Sequence, residues 1–227
     1  MIIGRGLVAS AFMPYFANDP AITVFASGVS NSRETRHEEF VREEELLRNA
    51  LDRAGTFLYF GSCSVLDPAM TETPYVRHKL RMENLVCSAA KRAVFRLPQV
   101  VGTSSNSHLL TNFLYDRIRS GEHFQVWKHA RRNLMDVDDI AAIVAHLVRT
   151  GTVEGRSYNI ACPFSVSVID IVQIFELVLG MKADYSLVDA GAEYVIDVPE
   201  VVQASAELGL SFDHDYIVRT VRKYYGG

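Results

Sequence analysis

The chain has 227 residues, of which 48% are hydrophobic and 22% are charged, and its formal net charge is -4 at pH 7. This length suits one substantial core, or a core with a small appendage, and it is too short for two ordinary domains. A net negative charge provides no basic face for nucleic acid. No apolar stretch is long enough for a membrane span, and no leader pattern precedes the first apolar residues, so we expect a cytoplasmic protein without a membrane partner.

The cysteines exclude two common uses of this residue. Cys63, Cys87 and Cys162 are odd in number and far apart. This arrangement suits neither a disulfide framework nor a zinc site. We therefore expect reduced, mostly buried thiols and no metal.

Apolar runs and helical patterns alternate along the first hundred residues. Strands are predicted at 1–3, 21–26, 56–60 and 93–97, and helices at 7–16, 38–54 and 75–91. This alternation predicts an α/β fold with a parallel sheet and helices on both faces. Beyond residue 102 the pattern loosens, and it predicts helices at 109–120, 137–150 and 168–179 and strands at 124–127 and 158–161.

A glycine turn joins the first strand to the first helix. Its sequence, Gly4-Arg5-Gly6-Leu7-Val8-Ala9, follows the pattern G-x-G-x-x-A. Between a strand and a helix, such glycines let a diphosphate approach the helix N-terminus, where free N–H groups and the dipole favour anions. The alternative is a simple turn. The predicted cofactor contacts in this segment are Gly4, Arg5, Gly6, Leu7 and Val8.

A tyrosine and a lysine four residues apart, Tyr75 and Lys79, follow a strand that ends in serines. On a helix the two side chains share one face. A free phenol has a pKa near 10, so proton transfer at neutral pH needs a nearby cation, which Lys79 can supply while also bonding a cofactor ribose. Ser62 could hold a substrate oxygen while Tyr75 moves the proton. The alternative is a surface tyrosine on an amphipathic helix.

Five segments together resemble the extended short-chain dehydrogenase/reductases, the family of nucleotide-sugar epimerases, dehydratases and 4-ketoreductases. In chain order these segments are 4–9, 60–65, 75–83, 96–102 and 132–139. The resemblance implies a Rossmann-like fold, NAD or NADP as cofactor and a nucleotide-sugar substrate. It also implies ketoreduction or 4-epimerisation, in surface polysaccharide synthesis.

The resemblance assigns the catalytic roles to Tyr75, Lys79 and Ser62. Ser64 is the second candidate for the serine and is placed among the substrate contacts. Dehydratases of this family carry an Asp-Glu pair after the serine or threonine, whereas this chain has Cys63 and Ser64 there. Without that acid-base pair, elimination of water lacks its catalysts.

The resemblance implies further contacts with the cofactor and with the substrate. Pro98 and Val100 would lie against the nicotinamide, and Arg132 would hold the diphosphate of the nucleotide sugar, which suits the fork geometry of arginine. The alternative for Arg132 is an ion pair with Asp136 or Asp139.

The chain departs from the family between the glycine turn and residue 56, where it has room for one strand. The family's two adenosine-side strands are therefore predicted to be absent. In the order 3-2-1-4-5-6, strands 1 and 4 are neighbours, so removing 2 and 3 shortens one edge and leaves a legal crossover. The acidic ribose-binding residue is lost, because the matching region offers Ala26, Ser27 and Gly28. Ala26 and Ser27 are still placed among the cofactor contacts.

Two polar features of the sequence each allow two interpretations. Arg5 could meet a 2′-phosphate, which gives a slight preference for NADP, although an exposed arginine in a turn commonly has no such role. The small polar residues at 27–32 could line a sugar pocket or cap the next helix. Asn31 and Asn112 are predicted substrate contacts.

The whole chain, 1–227, is predicted to be a single unit. Segments 1–102 and 134–163 would form the Rossmann-like core, and segments 103–133 and 164–227 a small substrate-side lobe. One alternative function is a non-catalytic dinucleotide sensor or assembly protein on the same fold. Another is a homodimer in which the cofactor is held across the contact. The joint presence of Tyr75, Lys79 and Ser62 favours an enzyme.

Overall fold

The structure, a computed structural model, describes residues 1–52, 55–87, 91–151, 153 and 155–227. The elements up to residue 101 are β1 (Ile2–Ile3), α1 (Leu7–Phe16), β2 (Ile22–Phe25), α2 (His37–Leu51), β3 (Thr56–Ser62), a 3-10 turn (Cys63–Leu66), α3 (Pro74–Val86), β4 (Arg92–Leu97) and β5 (Gln99–Val101). Those that follow are α4 (Leu110–Ser120), β6 (Phe124–Trp127), β7 (Arg131–Arg132), β8 (Leu134–Asp136), α5 (Val137–Arg149), β9 (Ser157–Asn159), β10 (Val166–Ser167), α6 (Val168–Leu179), β11 (Tyr185–Val188), α7 (Pro199–Leu208) and α8 (Tyr216–Tyr225).

Five parallel strands form the main sheet in the order β1-β2-β3-β4-β9. Both of its faces are covered. Because side chains alternate along a strand, Leu58 and Phe60 of β3 join a core cluster with α1 and α5. Phe57 and Tyr59 point the other way, into a cluster with α2 and α3. The predicted Rossmann-like α/β fold with helices on both faces is therefore confirmed.

The sheet is shortened at one edge, as the sequence predicts. β1 pairs in parallel with β2, with Ile2 opposite Val24 and Ile3 opposite Phe25, and within the described residues no strand lies beyond β1. β2 has the sequence ITVF and is buried throughout, which is typical of an interior parallel strand. The glycine turn therefore lies beside the strand end at Ala26.

A second apolar cluster joins α4, α6 and α8 with β6 and β8. Short strand pairs surround it: β5 with β8, β6 with β11 and β7 with β10. α7 instead packs against α5 in the first cluster. The 164–227 segment thus also contributes to the core of the main sheet, and its division into a separate lobe stays a prediction.

Several element boundaries differ from those expected from sequence. α2 ends at Leu51, and the last two residues of the predicted helix, 53 and 54, lie outside the described residues. α3 ends at Val86; residues 88–90 lie outside the described part, and Lys91 has a φ of 61°, which a helix does not allow. The sequence analysis also missed α7 and α8, together with short strands of two to four residues that have too few side chains for a periodic signal.

Cys63 and Cys162 are buried, and Cys87 is half-buried. No helix within the described residues is both long and apolar enough to cross a membrane.

Candidate functional site

A cavity of about 500 Å³ lies where β1, β2, β3 and β4 end at their carboxyl edge. Its size is within the range of small-molecule sites, and this edge is where open parallel sheets bind ligands. The structure brings most of the sequence-predicted site residues to it. Those lining the cavity are Arg5, Gly6, Leu7, Val8, Ala26, Ser27, Ser62, Ser64, Tyr75, Lys79, Pro98 and Val100.

The two glycines of the turn have different structural roles. Gly4 has a φ of 130°, and a Cβ there would lie 2.3 Å from the carbonyl oxygen of Ala26, so only glycine lets β1 turn this close to β2. Gly6 is the N-cap of α1 and has no atom near its missing Cβ. With no side-chain cap and no acid in the first turn, the N-terminal amides of α1 suit an anion such as a diphosphate.

The charges lining the cavity also favour an anion. Within the described residues, no aspartate or glutamate lines it, whereas Arg5, Arg42 and Lys79 do. Arg42 extends from α2 until its Nη1 is 3.4 Å from the carbonyl oxygen of Ser27. The glycine turn therefore fits the diphosphate of a dinucleotide, and the carboxylate that would grip an adenosine ribose is not part of this wall.

Ser62 and Tyr75 lie before and after the turn that follows β3 in the chain, and both line the cavity. Ser62 ends the strand, and its Oγ accepts a hydrogen bond from the amide of Ser64 at 3.1 Å, which leaves the hydroxyl proton available to a ligand. Tyr75 lies in the first turn of α3, which starts with the side-chain cap of Thr73 and with Pro74. Tyr75 is 5% exposed, and its ring centroid is 5.8 Å from Nζ of Lys79.

Lys79 has a partner that the sequence analysis did not anticipate. Its Nζ donates to Oε1 of Glu43 at 2.9 Å and lies 3.3 Å from the hydroxyl of Tyr59. Glu43 is fully buried and also accepts from the hydroxyl of Tyr59 at 2.7 Å, from the amide of Val29 at 2.7 Å and from Nε2 of His78 at 2.9 Å. Lys79 is therefore one half of a buried ion pair.

These contacts decide the charge state of Glu43. Burial alone would raise the pKa of its carboxyl, but the charge of Lys79 and hydrogen bonds from His78, Tyr59 and the Val29 amide hold that pKa well below its usual range. Burial and the charge of Glu43 raise the pKa of Tyr59 well above its usual range, so its hydroxyl stays protonated and donates.

Gly28 lies directly over this ion pair. A Cβ at Gly28 would lie 2.6 Å from Nζ of Lys79 and 2.9 Å from Oε1 of Glu43. The strand-end sequence Ala26-Ser27-Gly28 therefore has a packing reason for its glycine, independent of the acidic residue it lacks.

The structure does not bring Asn31 or Asn112 to the cavity. Oδ1 of Asn31 accepts from the amide of Arg33 within its own turn. Asn112 is buried; its Nδ2 donates to the carbonyl oxygens of Ser104 and Asn106, and its Oδ1 accepts from the hydroxyl of Tyr225 at 2.6 Å. Asn112 thus positions the 104–106 loop, which does line the cavity.

The structure also gives the positions of Arg132 and of the polar segment 27–32. Arg132 lies on β7 and donates to the carbonyl oxygen of Arg131, while Asp136 and Asp139 have other partners. Within 27–32, the serines at 27, 30 and 32 line the cavity, and the N-cap of α2 is Arg36.

A half-buried tyrosine, Tyr194, was given no role by the sequence analysis and does not line the cavity. Burial raises its pKa to about 12. It belongs to the segment between β11 and α7, which has no periodic pattern. Glu43, by contrast, did carry a signal, because Glu43, Leu47 and Ala50 fall on the buried stripe of α2.

A parallel sheet with a glycine turn and a helix N-terminus at its carboxyl edge defines a Rossmann-like nucleotide-binding protein. Residues 21–161, more than half of the chain, match the profile of the NAD dependent epimerase/dehydratase family. The chain belongs to this family, and NAD or NADP is the cofactor that membership implies. No curated protein sequence matches the chain.

Solved structures of similar fold include three informative ones. RMD from Pseudomonas aeruginosa complexed with NADPH is 14% identical, with a TM-score of 0.70, 99% of this chain covered and 97% of that chain. UDP-glucuronic acid 4-epimerase from Bacillus cereus, in complex with UDP-glucuronic acid and NAD, is 16% identical, with a TM-score of 0.69 and coverages of 90% and 74%. A UDP-galactose 4-epimerase is 16% identical, with a TM-score of 0.71 and coverages of 95% and 79%. At these identities the similarity shows the fold.

Proposed function

We propose that this protein is an NAD(P)-dependent oxidoreductase or epimerase that acts on a nucleotide-linked sugar, by ketoreduction or 4-epimerisation. One observation carries the proposal: a single cavity is lined by the glycine turn and by Tyr75, Lys79 and Ser62 together. Membership of the epimerase/dehydratase family supports it. A protein that only bound a dinucleotide would have no use for these three side chains in one cavity.

Two of these side chains, Ser62 and Tyr75, have proposed tasks at the reacting oxygen of the substrate. The Ser62 hydroxyl, oriented by the Ser64 amide, donates to a substrate oxygen. Tyr75 gives or takes the proton of that oxygen as general acid or base. Pro98 and Val100 form the apolar wall behind the reacting ring. A bound nicotinamide supplies the hydride chemistry that these side chains cannot.

The substrate side of the cavity carries hydroxyl and amide groups suited to a sugar. Ser30, Ser32, Ser104, Ser105 and Asn106 all line the cavity, and Nδ2 of Asn106 donates to Oγ of Ser30 at 3.2 Å. Ser64 extends this polar wall. Arg132, on β7 and outside the residues that line the cavity, is the proposed contact for the diphosphate of the substrate.

Dehydration is disfavoured by the state of Cys63. Cys63 stands where dehydratases of the family carry an acid, but it is fully buried and its Sγ lies 3.3 Å from the carbonyl oxygen of Arg96. Burial raises the pKa of this thiol to about 12. Such a thiol is a poor acid-base catalyst near neutral pH.

The proposal includes a cytoplasmic reaction in surface polysaccharide synthesis. Sugars linked to nucleotides are the activated precursors of such polymers, and the matching Bacillus cereus epimerase was solved with one of them.

The first test is a titration of the protein with NADPH and with NADH, followed by nicotinamide fluorescence. Gly6→Asp places a carboxylate where the diphosphate is expected, and Gly6→Asn is the neutral control of equal size. Both side chains enter open space, so neither should perturb the fold. We expect binding in the wild type, clear weakening with Asn and loss with Asp.

Absence of binding of either cofactor at millimolar concentration would overturn the redox proposal and favour the non-catalytic sensor. Where binding is found, a panel of nucleotide-linked keto-sugars is tested for NADPH oxidation. Tyr75→Phe should abolish this turnover without weakening NADPH binding.

A further inference from the structure

We propose that Arg42, together with Arg5 and Ser27, forms a phosphate site at the carboxyl end of β2, and that this site selects NADP over NAD. Arg42 is then the residue that determines cofactor specificity. This inference rests on the proposed function, because that function assigns a nicotinamide dinucleotide to the cavity.

Two guanidinium groups reach the same strand end from different elements. Arg5 belongs to the glycine turn, which packs so closely that a Cβ at Gly4 would lie 2.3 Å from the carbonyl oxygen of Ala26. Arg42 comes from α2, and its Nη1 lies 3.4 Å from the carbonyl oxygen of Ser27. Ala26 and Ser27 are consecutive, and both arginines line the cavity beside them. The two arginines therefore belong to one part of its wall.

The side chains at this strand end have donors left for a ligand. A guanidinium group has five N–H donors. Arg42 uses one on Oε2 of Glu39, from Nε at 3.1 Å, and one on the carbonyl oxygen of Ser27. Among the described residues, no hydrogen bond or ion pair engages the side chain of Arg5 or the hydroxyl of Ser27. Planar guanidinium forks are well suited to the oxygens of a phosphate group.

The charge of the strand end favours a phosphate over a free ribose hydroxyl. Sites for NAD place a carboxylate on the ribose hydroxyls, whereas an arginine near the ribose accommodates the 2′-phosphate of NADP. Within the described residues no carboxylate lines the cavity, and Glu39, the partner of Arg42, lies outside the lining. The strand end at Ser27 is therefore of the second kind.

The other arginine in the middle of α2 is arranged differently. Arg48 gives both Nε and Nη2 to Oε1 of Glu44, one turn earlier on the same helix, and it does not line the cavity. Arg42 is bound to its helical neighbour Glu39 through Nε, so its outer nitrogens extend from the helix to the strand end. Arg48 is thus a matched control for Arg42.

The proposed phosphate site is separate from the place of the diphosphate. The diphosphate is expected at the N-terminal amides of α1, beside Gly6. α1 and α2 cover opposite faces of the main sheet. A change at Arg42 should therefore affect the additional phosphate of NADP and spare the diphosphate that both cofactors share. Arg5, inside the turn, is close to both places.

The test is the binding of NADPH and of NADH to the whole protein, followed by nicotinamide fluorescence at low salt. We expect the wild type to bind NADPH at least about 10-fold more tightly than NADH, and Arg42→Gln to weaken NADPH binding about 10- to 100-fold, the range of a charged hydrogen bond. NADH binding should be unchanged in Arg42→Gln. Arg5→Gln should weaken both cofactors, and NADPH more than NADH. Arg48→Gln should leave both affinities unchanged.

A second measurement tests the phosphate site without the nicotinamide. Adenosine 2′,5′-bisphosphate and AMP differ only in the 2′-phosphate, and titration calorimetry gives the affinity of each. The wild type should bind the bisphosphate more tightly, and Arg42→Gln should remove that difference. Because the side chain of Arg42 is 43% exposed, added salt should screen its charge and reduce the difference in the wild type.

The two proposals fail separately. Equal affinities for NADPH and NADH in the wild type, or equal losses for both in Arg42→Gln, would overturn the inference and leave the proposed function intact. NADPH binding that depends on Arg42, without turnover of any nucleotide-linked keto-sugar, would reject the proposed function and support the phosphate site. Binding of neither cofactor would reject both.

Discussion

Two clusters in this protein combine a lysine, a carboxylate and a tyrosine but differ in their exposure to solvent. The cavity-wall cluster consists of Lys79, Glu43 and Tyr59, and the helix-lock cluster consists of Lys223, Asp136 and Tyr224. The ion-pair distances are nearly equal, 2.9 Å and 2.8 Å. Their solvent exposure differs, since the side chain of Lys79 is 3% exposed and that of Lys223 is 45% exposed. The burial of the lysine, and not the length of the ion pair, therefore distinguishes the two clusters.

The helix-lock cluster fastens α8 to the start of α5. Asp136 is the N-cap of α5, and its Oδ1 accepts from the amide of Asp138 and from the hydroxyl of Tyr224 at 2.6 Å. Next to it, Tyr216 donates to Asp139 and accepts from the Asp136 amide. Hydrogen bonds to Asp136 and Asp138 outweigh partial burial and raise the pKa of Lys223. This cluster lies at the joint between two helices and lines no part of the cavity.

The largest expected effect comes from breaking each ion pair on the lysine side. Lys79→Met leaves Glu43 buried and uncompensated, so we expect a loss of about 3–5 kcal/mol in the free energy of unfolding. Lys223→Met should cost about 1 kcal/mol or less, because Lys223 is 45% exposed and the carboxylate of Asp136 keeps its hydrogen bonds from the Asp138 amide and the Tyr224 hydroxyl. Urea unfolding at pH 7 measures both, and equal losses would contradict the comparison.

The next effect is a pH dependence that belongs to the cavity-wall cluster. The pKa of Glu43 is depressed in the folded protein, so its stabilising charge is fully present above the unfolded pKa of about 4.3 and is lost as pH falls toward the folded value. Between pH 6 and pH 2.5 we expect the stability advantage of the wild type over Glu43→Gln to shrink by about 2 kcal/mol or more, at about 1.4 kcal/mol per pKa unit. Urea unfolding at several pH values tests this, and an advantage that does not vary with pH would refute it.

A smaller effect is expected where α8 meets α4. The hydroxyl of Tyr225 lies 2.9 Å from Oγ1 of Thr111 and donates to Oδ1 of Asn112, and both partners are buried. Tyr225→Phe should lower the free energy of unfolding by about 1–2 kcal/mol, because it leaves Oδ1 of Asn112 without its donor. It should also weaken nucleotide-sugar binding, since Asn112 holds the 104–106 loop. Binding equal to that of the wild type would show that the loop is held by other contacts.

The smallest effect on stability is expected at Glu44, the neighbour of Glu43 on α2. Glu44 is adjacent to Glu43 but pairs at the surface with Arg48 and Arg81, whose side chains are 54% and 64% exposed. Glu44→Gln should change the free energy of unfolding by less than about 1 kcal/mol. Thermal unfolding beside Glu43→Gln gives the comparison, and similar melting temperatures for both variants would contradict it.

The main sheet could be predicted because its signals are local. The turn from Gly4 to Ala9 and the run at 22–25 each identify their own element, and strand order follows from the family's topology once one flank is missing. The position of the candidate site could be predicted too, since Gly6, Ser62 and Pro98 all stand at carboxyl ends of strands in the same parallel sheet.

The parts of the site that could not be predicted depend on contacts between residues that are far apart in the sequence. Glu43 and Lys79 are 36 residues apart, and the ammonium of Lys79 could not be known to be paired until α2 and α3 were packed together. Asn112 was predicted to face substrate, yet it faces Tyr225, 113 residues later, on a helix that the sequence analysis missed. Periodicity predicts which side of a helix is buried, but it does not name what lies opposite.

The shortened edge of the sheet has a consequence for aggregation. Losing two flanking strands exposes a new edge, and an exposed strand edge is a template on which a second chain can add by hydrogen bonding. Here that edge is β1, which is only two residues long, Ile2 and Ile3. So short a strand presents few free backbone groups, which is one of the ways natural sheets avoid edge-to-edge association. The shortened edge therefore offers a second chain few backbone hydrogen bonds.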